Sequence, residues 1–582
     1  MFEISEFYKD AVNIILYYVL ILFKELVIIY LLATTIDFWV CPSPIGKMPL
    51  VHKPIPLING LDFMIPKAID WQDSPALKFW HMASTYGDVY QMKIGTKLVV
   101  VANSADSIQK LWCEKNVKGN NSRPITYSFH KILSKGIYTI GTTPMGETYK
   151  KARKHVSEKV LSEKRNKDFN YVIMDRACDE MIERIKDKQG RNTNYDKIII
   201  SSDFLKEAQY FHLQVALWLT YGYEFNPDDI AHRYLGDQII ECENKITKVR
   251  SHVQNAQDYL PSFLKFVIAQ FSKRNLEIQK LYSIRQKYLK EFHDYVVGFH
   301  RKINDEEYVE DSSTLQKNKA KKLEHVKTSL LYKFLEKDHA DIGSIEITSE
   351  CLTMISAGLD NTPLNFKFGL HMLVNYHPDF WEEAYNDILQ HYDDDSKRAY
   401  KECSIEMKSE YVKAIVEETL RHFSVLPMSL PREATCDLVY RESIIPKGTI
   451  LFLNCYAGNH DSRRFPKPNK FAPSRWLKPT TDHDGKTNKV IDKSLKHFAF
   501  GVGSRKCLGG NFATRELYIL FAKMILTYKP APQLAKDIPP DISLALNMFP
   551  ESLAIETYPF EIQLEERTMN LSGVNVISPP SN

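Results

Sequence analysis

The run Phe500-Gly501-Val502-Gly503-Ser504-Arg505-Lys506-Cys507-Leu508-Gly509-Gly510 sets one cysteine among glycines, with an arginine two residues before it and an apolar, helix-compatible run after it. The thiolate is the form of cysteine that binds metals, and with an ordinary pKa of about 8.5 it is scarce at neutral pH without help. A metal ion supplies the strongest help, and backbone N–H groups turned toward the sulfur the next strongest. Glycines let a main chain turn tightly and come close to a flat ligand. Arg505 is placed to reach an anion on such a ligand. The chemistry indicated is metal ligation by one thiolate.

The pattern Phe500-x-x-Gly503-x-Arg505-x-Cys507-x-Gly509 resembles the heme-binding loop of the cytochromes P-450. The resemblance implies that Cys507 is the axial ligand of the iron of a heme b, with Phe500 and Arg505 beside it in the cofactor site. Gly146 to Arg153 is similar to the family's helix-C motif, with Tyr149 where tryptophan is usual. Tyr149 and Arg153 share a helix face and are expected at a heme propionate. Arg432, in Leu430-Pro431-Arg432-Glu433, is a second expected propionate partner. The following stretch, Ser443 to Phe452, is expected as a hairpin, with Met428 and Ser429 near a substrate pocket.

Ile345 to Tyr376 reads as one long helix, and its segment Ser356-Ala357-Gly358-Leu359-Asp360-Asn361-Thr362-Pro363 resembles the family's helix I. In that resemblance Ala357 and Gly358 let the helix pass over the heme, and Asp360 is the acid of a proton path. Asn361 stands where threonine is usual, and Thr362 is rotated by roughly 100° around the axis. Two readings stay open: Asn361 orients the proton-relay water, or Thr362 swings in through a distortion aided by Pro363. Glu418 and Arg421, with Arg475 further on, are similar to the family's buried triad, and Ser474 replaces a frequent glutamate.

The elements that must position these residues follow from the rest of the chain. The 582 residues are 44% hydrophobic and 25% charged with a net charge of +4, a composition of ordinary globular type that carries no nucleic-acid footprint. Nine scattered cysteines with no C-x-x-C pair argue against a zinc site or a disulfide framework. The fold that the resemblance implies is mainly α with small β sheets (α+β). It divides into an N-terminal membrane anchor over 1–37, a proline-rich linker over 38–56, one heme-thiolate domain over 57–566 and a tail over 567–582. Sixteen Val, Ile, Leu or Phe residues between 11 and 36 favour insertion by roughly 5–9 kcal/mol, opposed by roughly 5–7 kcal/mol from Lys24 and Glu25 at the bilayer centre. A spanning helix is expected, and an interfacial helix is the alternative. Lys47 and Lys53 after the apolar run place the domain on the cytosolic side, which in such a protein is the surface of the endoplasmic reticulum.

Residues 92–101 read as a hairpin turning at Gly95-Thr96. The acidic-then-basic stretch 303–325, Asp393 to Lys397 and Thr480 to Lys489 read as surface insertions. By resemblance the reaction is monooxygenation, with electrons from NADPH through a membrane-bound NADPH-cytochrome reductase and with cytochrome b5 as a further donor. Lys150, Lys151, Lys154, Lys496 and Lys506 are expected to steer that acidic partner. The stretches 122–131 and 139–144 and the run Gly358 to Asn365 look like the fungal branch that hydroxylates phenylacetate-type acids. That suggests a small aromatic carboxylic acid whose anion meets Arg123 or another base before helix C. Another lipophilic substrate (fatty acid, alkane or sterol), a heme-thiolate isomerase or peroxide-driven enzyme, and a non-catalytic binding protein are the alternatives.

Overall fold

In a computed structural model of the chain, strand-forming runs far apart in sequence pair into one five-stranded sheet. The structure describes residues 15–29, 32, 45–51, 74–113, 119–189, 198–200, 204–250, 255–261, 265, 272–304, 322–336, 343–481, 487–531, 547–549, 552–560 and 562–567. Leu50–Val51 (β1), Val89–Ile94 (β2), Lys97–Ala102 (β3), Arg432–Glu433 (β4) and Ile450–Leu453 (β5) lie in the order β1-β2-β3-β5-β4. β2 and β3 are antiparallel with Ile94 opposite Lys97, so the expected two-residue turn at Gly95-Thr96 is present, with Gly95 at φ +53°. A β-carbon there would lie 2.3 Å from the Tyr259 carbonyl oxygen.

The expected Ser443–Phe452 hairpin does not form. Ser443–Ile445 pairs with Leu438–Tyr440, while β5 runs parallel to β3 and antiparallel to β4. Both edges of β5 are taken by strands outside that hairpin, so its pairing could not be read locally.

Helices make up most of the rest. Seven position the site: α1 (Glu147–Lys159), α2 (Phe204–Tyr221), α3 (Ile230–Val249), α4 (Ser344–Ser356), α5 (Asn361–His371), α6 (Glu410–Phe423) and α7 (Gly510–Thr527). α2, α5 and α7 are buried over nearly their whole circumference, as helices that run through a core must be. Phe366 of α5 meets Phe521 of α7 edge-on at 5.0 Å, and Phe368 stacks on Phe423 of α6 at 4.6 Å. Each such buried ring contributes about 1.5–3 kcal/mol.

The long helix expected over 345–376 is two helices. α4 ends at Ser356, residues 357–360 form a turn, and α5 begins at Asn361. Pro363 has no N–H to give to the preceding turn, yet it is tolerated in a helix's first turn, where donors need no intrahelical acceptor. It therefore restarts the helix instead of continuing it.

Glu418 is the hub of the expected triad. Arg421 grips it through two 2.8 Å bonds, Arg475 Nε donates at 3.0 Å and Trp476 Nε1 at 2.9 Å. Glu418 and Arg421 are wholly buried, and the two arginines together hold the carboxyl below its usual range against desolvation.

Among the described residues no helix is long and apolar enough to cross a membrane. The described part of the expected anchor, 15–29, is helical with its apolar side chains exposed. Most of the linker, residues 305–321 of the mixed-charge stretch and the tail beyond 567 lie outside the described residues. Two of the expected insertions have structure of their own. Asp395 caps the helix Ser396–Glu406, and Leu477–Thr481 pairs with Thr487–Ile491.

Candidate active site

The cysteine loop is shaped by two glycines in the left-handed region, Gly501 at φ +63° and Gly503 at φ +65°. A β-carbon on Gly503 would lie 2.2 Å from the Trp112 carbonyl oxygen, so this position also needs the space. The loop closes when Cys507 N donates to Phe500 O at 2.8 Å and Lys506 N to Gly503 O at 3.0 Å. Phe500 packs against Gly510, where an added β-carbon would sit 3.5 Å from its ring. Cys507 lies three residues before α7, whose capping residue is Gly509. Desolvation pushes its thiol up, while the Gly509 N–H, Arg153 and Lys506 oppose that shift. The residue is nonetheless exposed.

Apart from Ala357 and Gly358 in the turn between α4 and α5, every expected cofactor residue belongs to or meets this loop. Arg505 Nε donates to Asn121 O at 2.6 Å and Nη2 to Thr143 O at 2.8 Å, with the guanidinium 3.6 Å over the Tyr149 ring. Tyr149 Oη donates to Ser504 O at 3.4 Å and Arg153 Nη2 to Lys506 O at 2.9 Å. Arg432 Nη2 donates to Val502 O. Arg123 spends Nε on Gly141 O and Nη1 on Leu430 O and Pro431 O, at 2.7–2.8 Å.

Two donors remain. The Nη1 atoms of Arg432 and Arg505 are buried without a partner. Burial and mutual repulsion lower Arg432 to about 9, and burial lowers Arg505 to about 10. Arg123 is lowered by burial, then by Arg432 and Arg505. Among the described residues no carboxylate pairs with any of the three. Buried cations left uncompensated cost several kcal/mol, so this cluster calls for an anionic ligand. A heme edge with two carboxylates beside a thiolate donor fits those requirements. Tyr149 and Arg153 fasten the loop backbone, whereas Arg432 and Arg505 each keep one nitrogen in hand.

The turn between α4 and α5 sends its polar side chains three ways. Thr247 Oγ1 of α3 donates to Asp360 Oδ2 at 2.5 Å, and burial pushes the Asp360 carboxyl up to about 6. Asn361 Nδ2 donates to Ala357 O at 2.9 Å, taking a carbonyl within the break. Thr362 Oγ1 donates to Glu516 Oε2 of α7 at 3.1 Å, and Glu516 Oε1 lies 3.0 Å from His212 Nδ1 of α2. His212 Nε2 is buried without a partner. Ala357 is exposed within the turn. Gly358 faces α2, because an added β-carbon would lie 2.1 Å from His212 Cε1. His212 and Thr247 carried no sequence signal. Glu516, a lone acid in an apolar run nine residues beyond Cys507, carried a faint one.

A cavity of about 80 Å³ adjoins the site, lined among others by Arg123, Phe129, Arg250, Asp258, Leu430 and Ile450. The segment 140–143, which carries the lining residue Thr142, is tied to the site at two points. Arg505 holds Thr143, next to the lining residue Thr142, and Thr353 of α4 accepts from Ile140 N at 2.9 Å.

The profile of the cytochrome P450 family matches residues 53–556. A phenylacetate 2-hydroxylase of Emericella nidulans is 30% identical, covering 88% of this chain and 91% of its own. A 3-hydroxyphenylacetate 6-hydroxylase of the same organism is also 30% identical, over 77% of each chain. A cytochrome P450 monooxygenase of Mycosarcoma maydis is 28% identical, covering 79% of this chain and 78% of its own.

Proposed function

The chain belongs to the cytochrome P450 family and is a monooxygenase, and we propose that it hydroxylates a small aromatic carboxylic acid of the phenylacetate type. The names of two relatives support the substrate class. The observation that carries the site assignment is the Cys507 sulfur, which receives the Gly509 N–H beside two buried arginines whose Nη1 atoms have no protein acceptor. In this reading Cys507 is the iron ligand and the Nη1 atoms of Arg432 and Arg505 take the propionates. Tyr149, Arg153 and Phe500 hold the loop, and Ala357 and Gly358 form the opposite wall.

Bound heme with a thiolate ligand supplies the oxygen chemistry, favouring O–O cleavage so that one atom enters a C–H bond and the other leaves as water. The protein's own residues handle binding and protons. Asp360, at about 6, is matched to exchange protons near neutral pH. Asn361 keeps the break open by occupying the Ala357 carbonyl. Thr362 links the break to Glu516 and His212, a second chain of polar groups reaching α7.

Electrons from NADPH through a membrane-bound reductase, with cytochrome b5 as a further donor, complete the reading. Lys150, Lys151, Lys154, Lys496 and Lys506 are all exposed and suit an acidic partner. Lys150 and Lys154 share that charge with Glu147 and Glu158. The exposed apolar helix over 15–29 supports attachment to the endoplasmic reticulum membrane with the catalytic domain in the cytosol, and the domain bounds given above are part of the same proposal. The test is a titration of the purified heme protein with phenylacetates, fatty acids and sterols, followed at the Soret band. Phenylacetate is expected to shift the band and, with NADPH and reductase, to yield a ring-hydroxylated acid. A shift with sterols or fatty acids alone would remove the substrate assignment.

A further inference from the structure

Arg250 follows the last residue of α3 and turns into the cavity beside the site. Its guanidinium lies 4.5 Å from the centre of the Phe129 ring, which lines the same cavity. Among the described residues no oxygen accepts from it and no carboxylate lies within ion-pair distance. The acids whose charge reaches it are already engaged. Glu243 takes Arg285 through bonds of 2.8 and 2.5 Å and Tyr288 Oη at 2.5 Å, and Asp360 accepts from Thr247. Asp258, in the cavity wall, accepts from Ser128 N at 2.7 Å and Ser128 Oγ at 2.6 Å.

Arg123 lines the same cavity but donates to three backbone carbonyls, which leaves it a wall element more than a ligand. A neutral substrate filling the cavity would cut Arg250 off from water with no counter-charge, the costly arrangement for a buried cation. A carboxylate would supply that charge and match the guanidinium fork with two hydrogen bonds.

We propose that Arg250 anchors the substrate's carboxylate, with the apolar remainder of an arylalkanoate lodged among Phe129, Leu430, Ile450 and Leu553. The assignment rests on the substrate reading above and replaces Arg123 as the anion's partner. Thr247, one turn before Arg250, touches Asp360, so the carboxylate end of the substrate is set close to the acid at the helix break.

The test compares wild type with Arg250→Gln and Arg250→Lys, all as heme-loaded full chains with unchanged carbon monoxide spectra, by calorimetric and Soret titration. The probes are phenylacetate, phenylacetamide and decanoate. Arg250→Gln is expected to weaken phenylacetate about 30-fold or more, Arg250→Lys to weaken it less, and phenylacetamide to bind all three proteins within about threefold of one another. If wild type binds phenylacetate and Arg250→Gln binds it equally well, the anchor is wrong and the substrate reading stands. An equal loss for phenylacetamide gives Arg250 a packing role and also overturns the anchor. If decanoate alone binds, and does so through Arg250, the anchor stands and the phenylacetate reading falls. Binding of neither acid to wild type removes both.

Discussion

Asp360 shows how much one side chain's surroundings decide. Its folded pKa of about 6 lies above the ordinary 3.8 because burial disfavours the carboxylate, and the Thr247 bond offsets only part of that. A raised folded pKa means that the stability tied to this group is fully present below about pH 4. It is lost as pH rises through about 6, an effect on the order of 3 kcal/mol. Asp360→Asn keeps an acceptor for Thr247 and removes the titration. Its melting temperature should therefore vary less than that of wild type between pH 4 and 6, while monooxygenase turnover at neutral pH falls about 100-fold. An unchanged pH profile with undiminished turnover would take Asp360 out of the proton path. The acid was legible from its place after Ala357-Gly358. Its partner was not, because Thr247 lies 113 residues away and only the fold brings α3 across the break. Arg250 was invisible for the same reason, since nothing local to it marks a cavity.

At the scale of elements, the break between α4 and α5 is held from outside as well as from within. Pro363 and the Asn361 side chain act from within, and the sequence displayed both. The His212 ring packs from α2 into the space left by Gly358, and Glu516 of α7 ties His212 to Thr362. Gly358→Ala alone places a methyl 2.1 Å from His212 Cε1, and such overpacking costs about 1–3 kcal/mol. His212→Ala alone leaves a cavity and a less satisfied buried carboxylate, at about 3 kcal/mol. The double variant Gly358→Ala/His212→Ala should lose less than the sum of the two by at least about 1 kcal/mol, because the clash is gone. Denaturant unfolding of the four proteins checks this, and strict additivity would mean that the two residues do not share that space. The β2–β3 hairpin was readable because only the two residues Gly95-Thr96 separate its strands. β5 was misread because its partners, β3 and β4, are set by chain topology and not by a turn.

Over the whole molecule, the motifs in chain order belong to one construction. Glu418 binds α6 to the segment carrying Arg475, and Arg432 and Arg505 join β4 and the 121–143 stretch to the cysteine loop. α7 carries the other end of that loop into the core. The fold class was legible through the family resemblance that the short motifs carry, and the loop because its residues are close in sequence. The helix break's contacts, the sheet order and the cavity's charge were not, because each depends on side chains converging from distant helices. All of this serves one sulfur. The most direct test is the carbon monoxide spectrum of the reduced heme protein, for wild type beside Cys507→Ala and Cys507→Ser. Wild type should show the thiolate-type Soret band and both variants should lose it, with heme retained weakly or not at all. A variant lacking the Cys507 sulfur that kept the thiolate-type band would contradict the account.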